Sequence, residues 1–326
     1  MTTTAPIPPA PIPPAPIPPA PNTPAIKTLG LWKTFSTKPA VFDVSLSVET
    51  GTVYGLLGRN GAGKSTLVKM LMGMIGPDLG SSSILGVDSQ NLPVSLKAKI
   101  GYMAENHPLY DHWTIGQSIR FVKNLHPKWD EDLVGRVLQH FGLSISSKIS
   151  RLSRGQRAQV ALVLTLGGDP DVFILDDPTL GLDPGVRRDF IESLVHMINR
   201  RGRTILFSSH MLDDIDRTAD RIGIMVDGVL RVDCPLDTFR NQVRKVVVEF
   251  DQDPPPWNGC PGLVQQWQVG KRRDLVFVGY GDLQRRAVEA LEPKRIDLVE
   301  LSLEDAFIEY TRTNRNPLPL WEENHE

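Results

Sequence analysis

Residues 58–66 read Gly58-Arg59-Asn60-Gly61-Ala62-Gly63-Lys64-Ser65-Thr66, directly after a short apolar run that ends at Leu57. The run from Thr66 to Ile75 has helical character. Glycines let the backbone curl tightly, so that several N–H groups and the positive end of the next helix converge on one point. A strand, this loop, a lysine, a hydroxyl and a helix in this order predict a P-loop, which binds the phosphates of a nucleotide.

The residues of this loop have separate expected tasks. Lys64 is expected to neutralise charge on the β- and γ-phosphates. The Ser65 hydroxyl is expected to be a ligand for Mg²⁺, which prefers hard oxygen donors. The backbone from Gly58 to Thr66 is expected to hold the phosphates. The sequence therefore predicts a site for a nucleoside triphosphate with magnesium.

A second segment supplies carboxylates to such a site. Phe173-Ile174-Leu175-Asp176-Asp177 is an apolar strand whose end delivers two acidic side chains. Asp176 is predicted to hold the magnesium ion through a water, and Asp177 lies where a base could orient the attacking water. An apolar strand that ends in two aspartates is common in proteins, and the upstream P-loop makes the functional interpretation the stronger one.

The pattern from Ile26 to about Arg240 alternates β-rich and helical runs, which predicts an α/β domain with a largely parallel central sheet. Asp227-Gly228 predicts a hairpin and hence an antiparallel pair at one end of that sheet. The short apolar runs expected as strands buried on both faces are Thr52–Leu57, Val172–Asp176, Thr204–Ser208 and Arg221–Val226.

Both ends of the chain differ from this domain. The pentad Pro-Ile-Pro-Pro-Ala occurs three times within residues 1–24, which predicts a semi-rigid extended tail; a docking site for a proline-recognising partner is the alternative. Composition shifts near 253–256, and the order strand, strand, helix, strand, helix predicts a small α+β domain over residues 241–326. Those elements are expected at Lys245–Phe250, Leu275–Tyr280, Leu283–Leu291, Arg295–Val299 and Ser302–Thr311. Residues 25–240 are expected to be the nucleotide-binding domain.

Composition narrows the possible functions. The 36 Lys and Arg nearly balance the 38 Asp and Glu, so no global field attracts nucleic acid, and none is expected as a partner. Cys234 and Cys260 are the two cysteines, and they have neither a CxxC spacing nor a nearby histidine, which suits a reducing cytosol. No apolar run has membrane-spanning length. If the protein acts at a membrane, another polypeptide is expected to supply the spans.

The segment Leu152-Ser153-Arg154-Gly155-Gln156 lies between the two phosphate-site elements, and with them it makes the chain resemble the ATP-binding cassette (ABC) ATPases over residues 26–240. The resemblance implies a P-loop NTPase fold with a mixed sheet and a helical subdomain. It also implies ATP and Mg²⁺ as cofactors, and a homodimer or heterodimer that sandwiches two ATP molecules. Ser153, Gly155 and Gln156 would then contact the nucleotide bound to the opposite subunit.

Three further positions follow from the resemblance. His210, in Phe207-Ser208-Ser209-His210, matches the switch histidine that senses the γ-phosphate and helps to position water. Asp183, in Gly181-Leu182-Asp183, matches the loop that crosses the dimer interface. Phe35 matches the aromatic residue that stacks on adenine, although Trp32 lies close enough in the chain to be the alternative.

The sequence departs from the family pattern at three places. Arg154 replaces a glycine, and its added charge would strengthen phosphate attraction or its bulk would hinder closure. Glu105 stands where glutamine is usual, and a carboxylate can also bind Mg²⁺. Asp177 replaces a glutamate, which retracts the carboxylate by about 1.5 Å. A misplacement of about 1 Å can cost on the order of a hundredfold in rate, so slow hydrolysis is expected.

The expected function is the ATP-hydrolysing motor of a membrane transporter, which works with a separate ABC permease on the inner face of the cell membrane. Export is favoured because Leu301–Phe307 is similar to a C-terminal extension of drug- and polymer-exporting subunits. The alternative is a regulatory sensor that binds ATP and dimerises with weak hydrolysis. Non-transport ABC ATPases of DNA repair and of the ribosome are disfavoured, because the chain has neither long heptad arms nor a second cassette.

Overall fold

The computed structural model describes residues 24–199 and 202–311. Its strands are β1 Ile26–Phe35, β2 Lys38–Val48, β3 Val53–Leu57, β4 Leu79–Ile84, β5 Val87–Asp88, β6 Ile100–Met103, β7 Val172–Leu175, β8 Thr204–Ser209, β9 Arg221–Val226, β10 Val229–Pro235, β11 Val243–Glu249, β12 Leu263–Val269, β13 Arg272–Val278 and β14 Arg295–Glu300. Its helices are α1 Lys64–Leu71, α2 Val94–Lys97, α3 Ile115–Lys123, α4 Glu131–His140, α5 Arg154–Gly167, α6 Pro184–Asn199, α7 Leu212–Asp216, α8 Leu236–Gln242, α9 Asp282–Glu289 and α10 Leu303–Thr311. The tail predicted over residues 1–24 lies outside the described residues, apart from Pro24.

A six-stranded sheet in the order β10-β9-β3-β8-β7-β6 forms the centre of the molecule. The pairs from β9 to β6 are parallel, whereas β10 runs antiparallel to β9. The predicted α/β class and the predicted hairpin are confirmed. Asp227 and Gly228 both have positive φ, 49° and 83°, as the tight turn between β9 and β10 requires.

The inner strands of this sheet are buried on both faces. Every residue of β3, β7 and β8 is buried, which explains their short and mainly apolar sequences; the polar Ser208 and Ser209 stand at the carboxyl end of β8. Side chains alternate between two cores: Phe173 and Leu175 pack on one face, whereas Val172 and Ile174 pack on the other. Because the strands are parallel, the loops that follow β3, β7 and β8 lie at the same edge of the sheet.

A second, antiparallel sheet has the order β2-β1-β4-β5, and the sequence pattern did not predict it separately. The pairing of β1 with β2 has register shifts between Thr28 and Leu31 and again near Lys33. These irregularities break the period-two alternation that sequence patterns depend on. The sheet packs with α1 in the second core, and its β2 strand runs beside the P-loop.

Helices α3, α4 and α5 form a helical segment between β6 and β7. Buried residues of all three helices, including Ile115, Val137 and Leu162, join the first core beneath the sheet. Each helix has a side-chain N-cap, from Thr114, Asp130 and Ser153 in turn. The helical subdomain implied by the family resemblance is therefore present.

The C-terminal region contains a four-stranded antiparallel sheet in the order β12-β13-β11-β14. The predicted strands and helices are confirmed, but β12 was missed. Its sequence, Leu263 to Val269, contains three glutamines, and as an edge strand it is only partly buried. The division of the chain at residue 240 stays a prediction, and helix α8 spans that position. Within the described ranges, no helix combines the length and apolar character needed to cross a membrane.

Candidate functional site

The P-loop follows β3 and turns directly into α1. Gly61 and Gly63 have φ of 83° and 101°, a left-handed conformation that costs other residues energy. At Gly63 the requirement is also steric, because an added Cβ would lie 2.1 Å from the carbonyl oxygen of Ala40 on β2. The loop is held against its surroundings by Gly58 N–H, which donates to Ser209 O at 3.3 Å, and by Gly228 N–H, which donates to Ala62 O at 3.0 Å.

Helix α1 begins without a side-chain cap, because its N-cap residue is Gly63. The first N–H groups of a helix have no acceptor within the helix. They and the helix dipole form a suitable site for an anionic group. The structure thus forms a compact turn over residues 58–63 and places Lys64, Ser65 and Thr66 in the first turn of α1, in the order strand, loop, helix that the sequence predicted.

Lys64 is bent back over this loop. Its Nζ donates to Gly58 O at 2.6 Å and to Arg59 O at 3.3 Å, and the side chain is buried. Burial lowers the pKa of the Lys64 ammonium, and the nearby carboxylates of Asp177, Asp176 and Glu105 act in the opposite direction. The Lys64 ammonium therefore lies on the P-loop carbonyl oxygens and within the electrostatic field of three acidic side chains.

Asp176 follows β7 and meets the P-loop. Ser65 Oγ donates to Asp176 Oδ1 at 3.0 Å, and Ser208 Oγ donates to the same oxygen at 2.9 Å. The side chain is 1% exposed, and its Oδ2 atom is buried without a hydrogen-bond partner in the part of the chain that the structure describes. A hydroxyl beside a carboxylate with one unpaired oxygen fits a hard divalent cation such as Mg²⁺.

Asp177 and His210 lie together at the ends of β7 and β8. His210 Nδ1 is 2.7 Å from Asp177 Oδ2, and since a carboxylate only accepts, the ring nitrogen donates. The Asp177 backbone N–H donates to Ser208 Oγ at 2.8 Å, and Asp177 has a φ of 43°. Its other oxygen, Oδ1, is buried and has no hydrogen-bond partner among the described residues.

Glu105 and Phe35 lie at the border of this arrangement. Glu105 follows β6, is exposed, and contributes to the field at Lys64. Phe35 ends β1 and is 49% exposed. Trp32, the alternative aromatic residue, instead packs on Phe42 with ring centroids 3.9 Å apart. Of these rings Phe35 is the more exposed, which favours it as the stacking residue.

Residues 152–156, here called the signature segment, form a separate site at the start of α5. Ser153 Oγ accepts from Gln156 N–H at 3.2 Å, and Gln156 Oε1 accepts from Ser153 N–H at 3.0 Å. This capping box orients both side chains and was readable from the Ser-x-x-Gln spacing, although the sequence interpretation did not use it. Gly155 faces Val186 of α6, so an added Cβ would lie 3.1 Å from Val186 Cγ1.

A cleft of about 440 Å³ joins the signature segment to the loop that contains Asp183. Arg154 lines it, and its guanidinium lies beside Gly181, where an added Cβ would be 3.4 Å from Nη1. The lining residues are Ser153, Arg154, Gly155, Gln156, Gln159, Gly181, Leu182, Asp183 and Val186. None of these belongs to the P-loop, so the structure does not bring Ser153, Gly155, Gln156 or Asp183 to Lys64 within one chain.

Sequence reasoning missed one residue of the phosphate site, Ser208, and two residues that lie behind it, Thr179 and Asp214. Ser208 bridges Asp176 and Asp177, and its signal was its place directly before Ser209-His210 at a strand end. Thr179 and Asp214 form a buried hydrogen bond of 2.9 Å behind His210. No motif marked Asp214, because its contact with Thr179 joins positions 35 residues apart.

Comparisons with known proteins agree with this geometry. A profile of the family described as ABC transporter matches residues 41–180. The chain is 30% identical to the ABC transporter ATP-binding protein YtrB of Bacillus subtilis (strain 168), over 85% of this chain and 95% of that protein. It is also 30% identical to the bacitracin transport ATP-binding protein BcrA of Bacillus licheniformis, over 87% and 96% of the two chains.

Solved structures show the same similarity. One, described as the ATP binding subunit of an ABC transporter, aligns with a TM-score of 0.59 and 28% identity, over 66% of this chain and 92% of that chain. A second, the dimeric structure of the bacterial ABC transporter cassette MJ0796, aligns with a TM-score of 0.58 over 65% of this chain and 98% of the other. At 22% identity, the second similarity is one of fold.

Proposed function

Because this chain belongs to the family of ABC transporter ATP-binding subunits, we propose that it hydrolyses MgATP at the site formed by Gly58–Ser65, Asp176, Asp177 and His210. The observation that supports this proposal best is the contact between Ser65 Oγ and Asp176 Oδ1, at 3.0 Å. It joins the P-loop to the end of β7, and the second Asp176 oxygen is buried with no hydrogen-bond partner among the residues that the structure describes.

The proposed tasks of the residues follow from their contacts. The helix N-terminus and Lys64 bind the phosphates, Ser65 and Asp176 hold Mg²⁺, and Glu105 is a further metal ligand on the exposed side. When bound, Mg²⁺ neutralises charge on the β- and γ-phosphates. Phe35 stacks on the adenine ring. Lys64 must exchange its bonds to Gly58 O and Arg59 O for phosphate oxygens when the nucleotide binds.

Asp177 and His210 orient the attacking water in this proposal. Asp177 Oδ1, which has no hydrogen-bond partner within residues 24–199 and 202–311, is the acceptor, and His210 holds Oδ2 through Nδ1. An oriented carboxylate contributes typically 10²–10⁴-fold when it takes the proton of a water nucleophile. The shorter side chain of Asp177 is the reason to propose slow turnover, and it also keeps the dimerising ATP sensor as a second candidate.

A second cassette completes the site in this proposal. Ser153, Gly155, Gln156 and Asp183 line a cleft without a P-loop residue, so they are available to a nucleotide held by another subunit. The capping box orients Ser153 at the N-terminus of a 14-residue helix, which favours an anionic ligand. The partner subunit is a copy of this chain or a related ABC ATPase.

The transported cargo passes through a separate integral-membrane permease, to which this subunit binds on the inner face of the cell membrane. The similarity to a bacitracin transport ATP-binding protein, over 87% of this chain and 96% of that protein, supports a transport function. We propose export as the direction, supported by the C-terminal unit of β11–β14 and α9–α10. Closure of two cassettes on ATP and their opening after hydrolysis would drive the permease.

The test is a comparison of the native chain with Lys64→Ala and with Lys69→Ala. Lys69 lies in the last turn of α1, away from the loop, and controls for the loss of a helical lysine. MgATP binding and phosphate release are measured for all three proteins. Lys64→Ala is expected to lose both activities and Lys69→Ala to keep them. Normal phosphate release by Lys64→Ala would refute the site.

A further inference from the structure

The buried carboxylate of Asp214 lies behind the phosphate site and contacts three separate segments: the loop after β7, the end of β8 and helix α6. Asp214, in α7, is 4% exposed. Its Oδ2 atom accepts from Thr179 Oγ1 at 2.9 Å and from Ser209 Oγ at 3.1 Å, and it lies 3.8 Å from Arg187 Nε of α6. Asp214 itself does not belong to the proposed phosphate site.

On one side of Asp214, Thr179 contacts the loop that contains Asp183. Thr179 is fully buried, and its carbonyl oxygen accepts from Leu182 N–H at 3.1 Å. It lies two residues after Asp177, so its position also sets the path of the backbone on which Asp177 has its positive φ. A hydrogen bond at Thr179 therefore constrains both Asp177 and the start of the interface loop.

On the other side of Asp214, Ser209 is next to His210 in the sequence and contacts the P-loop. Ser209 directly precedes His210, and its hydroxyl accepts from Met211 N–H at 3.0 Å. Its Oγ atom lies 3.1 Å from both Asp214 Oδ2 and Met211 O, of which the carboxylate is the stronger acceptor for the single hydroxyl proton. Its carbonyl oxygen accepts from Gly58 N–H at 3.3 Å. The backbone on both sides of His210 is thus held through a single hydroxyl, and that hydroxyl is bonded to Asp214.

The groups around Asp214 explain how its carboxylate can be buried. Burial raises the pKa of Asp214, whereas Thr179, Arg187 and Ser209 lower it and Asp177 raises it further. A buried carboxylate is tolerated where donors and an opposite charge surround it. Arg187 supplies that charge, since its Nε atom is buried and has no closer hydrogen-bond acceptor in the described part of the chain.

We propose that Asp214 is a positioning residue for ATP hydrolysis, which fixes the loops of Thr179 and Ser209 so that His210 stays in contact with Asp177. The inference rests on the proposed function, because it assigns a task to the support of the same site. Asp214 acts through His210 and Asp177 and touches neither the nucleotide loop nor the metal position. Loss of the Asp214 carboxylate is expected to lower kcat for ATP hydrolysis and to leave nucleotide binding intact.

The experiment uses the full chain and two changes at Thr179. Thr179→Val keeps the shape and removes the donor to Asp214, whereas Thr179→Ser keeps the donor and removes a buried methyl group. Thr179→Val is expected to lower kcat by about tenfold or more with KM for ATP within about twofold, because misplaced catalytic groups lose rate steeply. Thr179→Ser is expected to retain most of the native kcat even though its Tm falls.

Thr218→Val is the matched control. Thr218 Oγ1 donates to the backbone oxygen of Asp214 at 2.6 Å and does not reach the carboxylate, so its kcat is expected to stay native. Asp214→Asn removes the charge and is expected to lower kcat, whereas Asp213→Asn changes an exposed neighbour in the same helix and is expected to leave it unchanged. If Thr179→Val does not fold, the comparison of Asp214→Asn with Asp213→Asn still tests the inference.

The results distinguish this inference from the proposed function. If the native chain turns over ATP and Lys64→Ala abolishes turnover, the Thr179 and Asp214 variants test Asp214 alone. A native kcat in Thr179→Val or in Asp214→Asn would then overturn the inference, as would an equal loss of kcat in the serine and valine variants. A native chain without ATP turnover would overturn both the proposed function and this inference.

Discussion

His210 Nδ1 donates to Asp177 Oδ2 across 2.7 Å, and this bond joins the loops that follow two neighbouring parallel strands. Asp177 has a left-handed φ of 43°, and its backbone N–H is held by Ser208 Oγ. The histidine therefore meets a carboxylate whose backbone is itself fixed. His210 holds one oxygen of that carboxylate, and the other has no hydrogen-bond partner in the described part of the chain, which is the arrangement expected of a group that orients water.

The first prediction concerns His210→Ala. Loss of the imidazole releases Asp177 Oδ2, so kcat for ATP is expected to fall by about a hundredfold while ATP binding changes little. Steady-state phosphate release and equilibrium nucleotide binding measure the two effects. His140→Ala, at the exposed end of α4, controls for the loss of a histidine. A kcat within about twofold of native would contradict a role for His210 in the chemical step.

The second prediction concerns the length of the side chain at position 177. Asp177→Glu adds one methylene, extends the carboxylate by about 1.5 Å, and is expected to raise kcat by about tenfold or more. Single-turnover hydrolysis is the measurement, with Asp177→Asn as the variant expected to lose activity. A gain of this size over a measurable native rate would show that side-chain length limits turnover, whereas a gain over a native rate too low to detect would favour the sensor as the function of the native chain. Equal and robust rates in both proteins would eliminate that alternative.

The third prediction compares two glycines of the P-loop. Gly61→Ala introduces left-handed strain alone, because nothing lies within 4 Å of its added Cβ, and should cost about 1 kcal/mol of folding free energy. Gly63→Ala adds a clash with Ala40 O at 2.1 Å and should cost more. Denaturant unfolding measures both variants. Equal free energies of unfolding for Gly61→Ala and Gly63→Ala would show that β2 moves to accommodate the methyl group added at residue 63.

The fourth prediction concerns Arg154. Its guanidinium lies in the cleft shared with Gly181, where we expect it to attract the phosphates of a nucleotide held by the second subunit. Arg154→Ala is expected to weaken ATP-dependent dimerisation by about tenfold, the loss typical of one charged hydrogen bond. Sedimentation with and without MgATP measures it, and Arg151→Ala is the control. Tighter dimerisation of Arg154→Ala would mean that the bulk of Arg154 hinders closure.

The fifth prediction concerns pH and His126. Burial lowers the pKa of His126, and a hydrogen bond to the Ala98 backbone opposes this shift. The unfolded chain, with a histidine pKa of about 6.5, therefore binds more protons than the folded chain below that pH. The stability contributed by neutral His126 is present above the unfolded pKa and is lost as pH falls through the lower folded pKa.

His126→Leu is therefore expected to flatten the fall in Tm between about pH 7 and pH 5. His112→Leu, which removes an exposed histidine, controls for the change of side chain. Thermal unfolding at several pH values provides the measurement. An unchanged slope in His126→Leu would mean that other groups cause the acid sensitivity.

Sequence reasoning worked best where function depends on consecutive residues. The P-loop needs glycines, a lysine and a hydroxyl next to one another, so its residues and its place between β3 and α1 were predictable. The strands β7, β8 and β9 were predictable because strands covered on both faces have a continuous apolar run at their centre. Strand β12 was missed because an edge strand tolerates glutamines, and the β1–β2 sheet was missed because its register shifts hide the alternation.

The sequence by itself determined the P-loop, the α/β class and the resemblance to ABC ATPases, because each depends on local spacing. Only the tertiary structure decided which distant side chains meet. The sequence assigned Ser65 and Asp176, 111 positions apart, to one magnesium site, but only the tertiary structure shows that they bond to each other directly and that Ser208 bonds to the same Asp176 oxygen. Parallel strands bring their carboxyl ends to one edge, and that geometry, which no single segment contains, places the hydroxyls, carboxylates and histidine around one point.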